Sequence, residues 1–251
     1  MPKPLIRVTT LEAFRRYIEQ SENARYEITE QSVIENITGE FKGNEYTRIG
    51  TAFHSIVETG HPICVSCKPT TRTYRRKNAD TNKLEDVTED VPLGRRFNID
   101  GFDVCLDIAQ CKVALAYRNE HPDAVHEYRL YKDYGDAVIT GQIDMVDGLE
   151  IHDIKTKYSQ PSDEDYIKSA QSHFYMEMSE LGTFHYDLFI FEGYNLERHG
   201  YDVRGLPLRR YEPITVYAYS GMEQDNRNLL KEFLQWVNFR GLTEYLYKTK
   251  I

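Results

Sequence analysis

Asp144, Asp153 and Lys155 stand within IDMVDGLEIHDIKTK (143–157), a stretch that otherwise reads as a buried β-hairpin. Leaving such charges unpaired in an apolar setting is costly. Either the hairpin is solvated, or the charges hold a metal. Asp147-Gly148 is a strong two-residue hairpin signal, because a type I′ turn needs positive φ at both central positions. A loop placed there pairs Gln142 with Asp153 and Asp144 with Ile151. Facing residues share a side of the sheet, and side chains alternate along a strand. Asp144, Asp153 and Lys155 then project from one face, and Ile143, Met145 and Ile154 from the other. A register shifted by one residue would separate the two aspartates.

Two carboxylates on a diagonal of roughly 7 Å between neighbouring strands can converge on one hard divalent cation. A lysine two residues along points the same way. It can position or help deprotonate an attacking water, or stabilise charge on a phosphorane-like transition state. The set suits hydrolysis of a phosphodiester. On a solvated strand the same D-x-K carries no function.

The elements that must position these residues are legible from periodicity. TTLEAFRRYIEQ (9–20) has Leu11, Phe14 and Ile18 at helical spacing, and NEYTRIGTAFHSIVETG (44–60) reads as a second helix stopped by Gly60 and Pro62. DIAQCKVALAYRNEHP (107–122) is helical and ends before Pro122. Strands are expected at 125–131, 137–146, 149–157, 184–194 and 213–219. A helix over 162–182 should open on a capping box of Ser162 with Asp165 and bury Ile167, Ala170, Phe174, Met178 and Leu181. A last helix of about 25 residues spans 221–247. Residues 61–103 are polar and basic and punctuated by Pro and Gly, and read as a variable excursion or long loop with some strand. With no repeat and no linker in sight, the expectation is one α/β domain over 1–251, a mixed sheet with helical additions.

Composition sets the outer bounds. Hydrophobic residues at 40% and aromatics at 12% describe a globular chain, not a disordered one. No apolar run approaches the roughly 20 residues that span a bilayer, and MPKPLIRVTT lacks the core of a signal peptide, so no membrane association and a cytoplasmic location are expected. Cys64, Cys67, Cys105 and Cys111 are too few and too clustered for a disulfide scaffold; reduced thiols are expected rather than a zinc or iron–sulfur site. A net charge of −9 argues against nucleic acid at first sight. Yet the basic residues clump at 72–77 (with Arg72, Arg75 and Arg76), 94–96 and 204–210, which permits a local phosphate-binding footprint on an acidic body.

The hairpin resembles the core of the PD-(D/E)xK nuclease superfamily, and three further features carry the likeness. GTAFH (50–54) lies on the second helix, QSHFY (171–175) gives Q-x-x-x-Y on the helix after the hairpin, and HPDAVHEYRLY places Glu127 on the strand before Asp144. In this order the motifs are similar to the RecB-type and RecE/lambda-exonuclease-like branch, and RNEHPDAVHEY…GQIDMV…DIKT…Q…Y to RecE-like phage exonucleases. The resemblance covers residues 47–60 and 115–180 and is absent over 61–103.

It implies a restriction-endonuclease-like core: a central mixed sheet flanked by helices, with N-terminal helical additions. Asp144, Asp153 and the Ile154 carbonyl would ligate Mg²⁺ or Mn²⁺. Lys155 would be the catalytic lysine, His54 a further ligand or gate, and Glu127 a carboxylate beside the metals. Gln171 and Tyr175 would border the site and touch DNA. The implied activity is digestion of linear duplex DNA from its ends, 5′ to 3′, in phage-type recombination or repair. A single-strand annealing protein would be its partner and a homo-oligomer its form. An endonuclease, restriction-like or structure-specific, and a non-catalytic DNA-binding module are the alternatives. Two departures stand out: the cysteines do not follow the iron–sulfur pattern of RecB-type relatives, and Asp153 stands where many members carry Glu.

Overall fold

The computed structural model describes residues 3–20, 28–39, 42–61 and 63–247. A short strand, β1 (Leu5–Arg7), runs directly into α1 (Val8–Glu19), followed by α2 (Glu30–Thr38) and α3 (Glu45–Thr59). Two antiparallel hairpins come next, β2 (Thr70–Lys77) with β3 (Leu84–Val91) and β4 (Gly94–Ile99) with β5 (Phe102–Asp107), then α4 (Ile108–Glu120). The meander β6 (Val125–Asp133), β7 (Val138–Asp147) and β8 (Glu150–Lys157) leads to α5 (Asp163–Ile167) and α6 (Ala170–Ser179). The chain closes with β9 (Thr183–Phe191), α7 (Leu196–His199), β10 (Leu208–Arg210), β11 (Ile214–Tyr217), α8 (Met222–Phe239) and α9 (Thr243–Leu246). No helix among the described residues is long and apolar enough to cross a membrane.

Helix ends follow local chemistry. Asn44 and Thr47 close a reciprocal capping box on α3, and Gly60 ends that helix at φ 61°. Pro62, the other expected stop signal, lies outside the described residues. Two expected helices are broken. The 162–182 segment divides at Lys168 and Ser169: Ser162 makes no side-chain cap, Ser169 accepts from the Gln171 N–H and starts α6 afresh, and Ile167 is exposed. A serine that bonds the backbone ahead of it competes with helix continuation. The C-terminal helix stops at Phe239, with Gly241 in the left-handed region at φ 69° before α9. The excursion at 61–103 holds two hairpins, and β1, α2 and β10 are elements that periodicity did not announce.

Among the described residues, seven strands form one mixed sheet. β9 is its buried spine. It pairs in parallel with β8 on one side, while β10 and β11 share its other edge. Phe184, Tyr186 and Leu188 point into a core closed by α1, α6 and α8, where Leu11, Phe14, Phe174 and Phe233 lie. Phe189 and Phe191 point into a second core with Ile49 and Phe53 of α3 and Ala114 and Tyr117 of α4. Each face of the sheet is therefore covered.

β7 is forked along one edge. β6 runs along it from Val138 to Val146, but β1 takes the other edge only at Val138–Thr140 and β8 only at Met145–Asp147. The stretch 141–144 between them has no strand partner on that side. Tyr175 from α6 fills part of the gap, its hydroxyl donating to the Gln142 carbonyl at 2.9 Å and accepting from the Gln142 N–H at 3.2 Å. Its ring lies so close under Gly141 that a Cβ there would meet Cε1 at 2.2 Å.

The β7–β8 turn is Gly148-Leu149, not Asp147-Gly148, and the pairs are Met145 with His152, Val146 with Ile151 and Asp147 with Glu150. Asp147 stays in the strand, held by His121 Nδ1 at 2.7 Å. This register differs from the expected one by two residues, so Asp144 falls level with Asp153, just past the last pair, and not opposite Ile151. The expected grouping of Ile143 with Met145 and Ile154 does not hold. Ile143 joins the core under α6, while Met145 and Ile154 lie in the core under α3 and α4. Alternation slips next to Glu127, which sits across from Asp144 with φ 55°.

Gly141→Ala should destabilise the fold by about 1–3 kcal/mol through overpacking against Tyr175. Tyr175→Phe should cost about 1–3 kcal/mol by stranding the Gln142 amide group. Urea unfolding of each variant measures both, and an unchanged midpoint for Gly141→Ala would mean the ring is free to move away.

Candidate active site

The gap in β7 is where the charged residues meet. Beyond Met145 and His152 the strands diverge, and Asp144 Oδ2 takes over as acceptor for the Ile154 N–H at 2.8 Å. Asp153 is 2% exposed. Its Oδ2 lies 2.7 Å from Lys155 Nζ, and its Oδ1 accepts from Gln171 Nε2 at 2.9 Å. Lys155 Nζ donates to Gln171 Oε1 at 3.3 Å, so one amide side chain orients both partners. From the other face, α3 brings His54 Nδ1 to 3.7 Å from Asp144 Oδ2. Gly50 makes that approach possible: a Cβ there would stand 2.8 Å from Thr156 Oγ1 of β8. Glu127 is gripped by Gln142 Nε2.

Electrostatics report the crowding. Burial, with Asp144 and Glu58 nearby, pushes the Glu127 carboxyl up to about 7. Burial likewise raises Asp153, to about 6, with Asp144 adding to the rise and Lys155 opposing it. Burial alone would lower the Lys155 ammonium, but the Asp153 and Asp144 carboxylates hold it well above the ordinary lysine value. Lys155 is therefore a fixed positive charge at neutral pH. Neighbouring Lys157 is driven down to about 8 by burial and by the nearby Lys155 and Arg16.

This donor set fits a divalent cation. Asp153 Oδ2 is buried against the Lys155 ammonium, and the Asp144 carboxylate lies close enough to oppose its ionisation. Glu127 carries a carboxyl whose ionisation its acidic neighbours oppose, a penalty that a cation would remove. Asp144 and Asp153 would hold such an ion, with Glu127 and His54 at its margin.

The expected site residues divide into three groups. Asp144, Asp153, Lys155, Gln171 and His54 are brought together, with Glu127 beside them. Tyr175 is 2% exposed with its hydroxyl committed to β7, so it braces the strand and offers DNA no surface. Arg72 is tied to Glu89 at 3.0 Å and to the Asp202 carbonyl at 2.7 Å, whereas Arg75 and Arg76 are exposed on β2, Arg75 beside Asp86 at 3.5 Å. The other clumps also serve the fold: Arg204 binds Asp202 and the carbonyls of Lys68 and Pro92, and Arg96 pairs with Asp103. Cys67 faces Cys105 at 3.3 Å while Cys64 is exposed, so the CxxC pair does not converge. Sequence reading passed over Gln142 and Lys157; the alternation D-x-K-x-K at 153–157 was the signal for the latter.

A mixed sheet covered by helices on both faces, with two aspartates and a lysine at the splay of adjacent strands, is the architecture of the restriction-endonuclease-like fold. The chain belongs to the PD-(D/E)XK nuclease superfamily, whose family model matches residues 15–238. Among solved structures it is similar to a phage-related exonuclease from Haemophilus somnus 129PT (15% identity, 91% of this chain and 90% of that one, TM-score 0.41). It is also similar to a provisionally named exonuclease from Eubacterium rectale (10% identity, 99% and 83%, TM-score 0.43). No curated protein shows significant similarity to it.

Gly50→Ala should force α3 off β8 by a few tenths of an ångström and displace His54. Nuclease turnover should fall about tenfold or more, while helix propensity, worth about 1 kcal/mol, offsets the stability loss. Paired kinetics and thermal melts check it; a large drop in melting temperature would instead mean general misfolding.

The raised carboxyls also set a pH dependence. A carboxyl protonated in the folded state but released in the unfolded one contributes stability at low pH that is lost as pH rises through the folded value. For Glu127 the window runs from the ordinary 4.5 to about 7. Without divalent metal, Glu127→Gln should melt with the unsubstituted protein at about pH 4 and above it at about pH 8. Equal melting at both pH values would show that Glu127 is not held near Asp144.

Proposed function

We propose that the chain is a divalent-metal-dependent deoxyribonuclease that digests linear duplex DNA from its ends, in the 5′ to 3′ direction. The convergence of Asp144, Asp153 and Lys155 in the gap of β7, braced by Gln171 and approached by His54, carries this reading. The order of GTAFH, Glu127, the D…DxK hairpin and Q-x-x-x-Y supports the exonuclease branch. Mg²⁺ or Mn²⁺, when bound by Asp144, Asp153 and the Ile154 carbonyl, supplies an activated water and charge neutralisation at the phosphate. Lys155, locked as an ammonium by Asp153 and Gln171, stabilises negative charge accumulating on the phosphoryl oxygens. Glu127 and His54 orient groups around Asp144. Lys157, with Arg75 and Arg76 further out, supplies cationic contacts to the backbone. Residues 1–251 act as one domain in this reading, in a homo-oligomer that passes its single-stranded product to an annealing protein during phage-type recombination or repair.

A digestion assay on end-labelled linear duplex and closed circular DNA, with Mg²⁺, Mn²⁺ or a chelator, tests the proposal. Metal-dependent release of nucleotides from linear DNA alone is expected, the label giving polarity. Lys155→Ala should lower the rate by about 10²–10³ or more. Nicking of circles would make the protein an endonuclease, and binding without cleavage under either metal would make it a non-catalytic module.

A further inference from the structure

On the sheet face opposite Asp153, three imidazoles stand in a row. His121, beyond the end of α4, packs against His152 of β8, and His152 stacks on His185 of β9, with 4.8 Å between successive ring centroids. His152 and His185 are register partners in the parallel pair, and Glu150 of β8 brings Oε2 to 3.4 Å from His185 Nε2. Each ring has its Nδ1 committed: His121 to Asp147 at 2.7 Å, His152 to Asp187 at 2.9 Å, His185 to Thr215 Oγ1 at 3.0 Å. Each Nε2 is buried and has no hydrogen-bond partner. His152 itself is 6% exposed.

Buried polar atoms without partners are uncommon and call for a cause. At His152 the Asp187 carboxylate on Nδ1 fixes the tautomer that leaves the Nε2 lone pair free, which is how metal-ligating histidines are oriented; at His185 the Thr215 hydroxyl can accept from Nδ1 and permit the same tautomer. Ligand atoms of Glu150, His152 and His185 lie within 4.8 Å of one another. We propose that Glu150, His152 and His185 form a second metal site, selective for Zn²⁺ or a similar borderline transition ion. Two imidazoles and one carboxylate suit zinc and not Mg²⁺, which takes oxygen ligands. The ion fastens the tip of the β7–β8 hairpin to the start of β9, across the sheet from the strand residue Asp153. Asp187 is its orienting partner: although burial alone would raise it, the bonds from His152 and Tyr117 keep it ionised. The site does not depend on the nuclease reading.

The test uses the full chain carrying Asp144→Asn, to weaken ion binding in the β7 gap, stripped of metal by chelation. Zn²⁺ binding is followed by competition with a chromogenic chelator, and Co²⁺ by its visible d–d absorption. The expected result is one tightly held Zn²⁺ and a raised melting temperature. Both should be lost when Glu150→Gln and His185→Gln are added, with circular dichroism unchanged. Asp187→Asn, which touches no ion, should weaken binding about 10–100-fold. Zinc binding that survives the double substitution, or natively folded parent protein that holds none, would overturn the proposal. The second result would leave Glu150 and His185 as a plain ion pair.

Discussion

The missing stretch of ladder on β7 is the constraint on which the site depends. A strand inside a sheet normally spends both edges on neighbours, and an unpaired backbone group in the interior is expensive. Here β1 and β8 leave residues 141–144 uncovered, and two side chains repair the loss: Tyr175 serves the Gln142 amide, and Asp144 takes the Ile154 N–H. The opening that results is lined by charge yet embedded between two hydrophobic cores. It can be reached from both faces, which is why His54 from one helical layer and Gln171 from the other act on the same carboxylates.

Such an opening concentrates negative charge in a place where water screens it poorly. Burial and the nearby Asp144 carboxylate raise the proton affinity of Glu127 and of Asp153, and Lys155 opposes only part of the rise at Asp153. A protein built solely for stability gains nothing from that arrangement, because apolar residues of similar volume would serve as well or better. The proposed task of holding a divalent cation against a phosphodiester gives the arrangement a use. The acidity of the whole chain and the focus of its site are thus consistent. Most of the arginines that look like a DNA footprint in the linear sequence are instead consumed by internal ion pairs and carbonyl contacts, as with Arg72 and Arg204.

The opposite face of the same strands solves its charge problem differently. Asp187 is completely enclosed, but it receives Tyr117, His152 and Arg210, so its charge is compensated within the fold. Successive residues of one strand therefore alternate between a carboxylate facing the β7 gap, Asp153, and a histidine oriented by a satisfied carboxylate, His152. A two-residue periodicity is enough to separate the two chemistries across one sheet.

Much of this was determined by the sequence alone. Asp144, Asp153 and Lys155 were picked out by type and spacing, and they lie together although the hairpin register moved by two residues and the alternation of β7 slips between Ile143 and Met145. The stop signal at Gly60 and the apolar runs of the strands are local, so they could be read locally. What the tertiary structure alone decided is non-local. The turn moved to Gly148-Leu149 with His121, distant in sequence, holding Asp147 in the strand. Ser169 restarted a helix that periodicity made continuous. Tyr175 went beneath Gly141 rather than to the surface, since the fork that needs its hydroxyl exists only once β1 and β8 have both docked on β7. Partner choice among like charges and edges is set by packing, and no single stretch of sequence contains it.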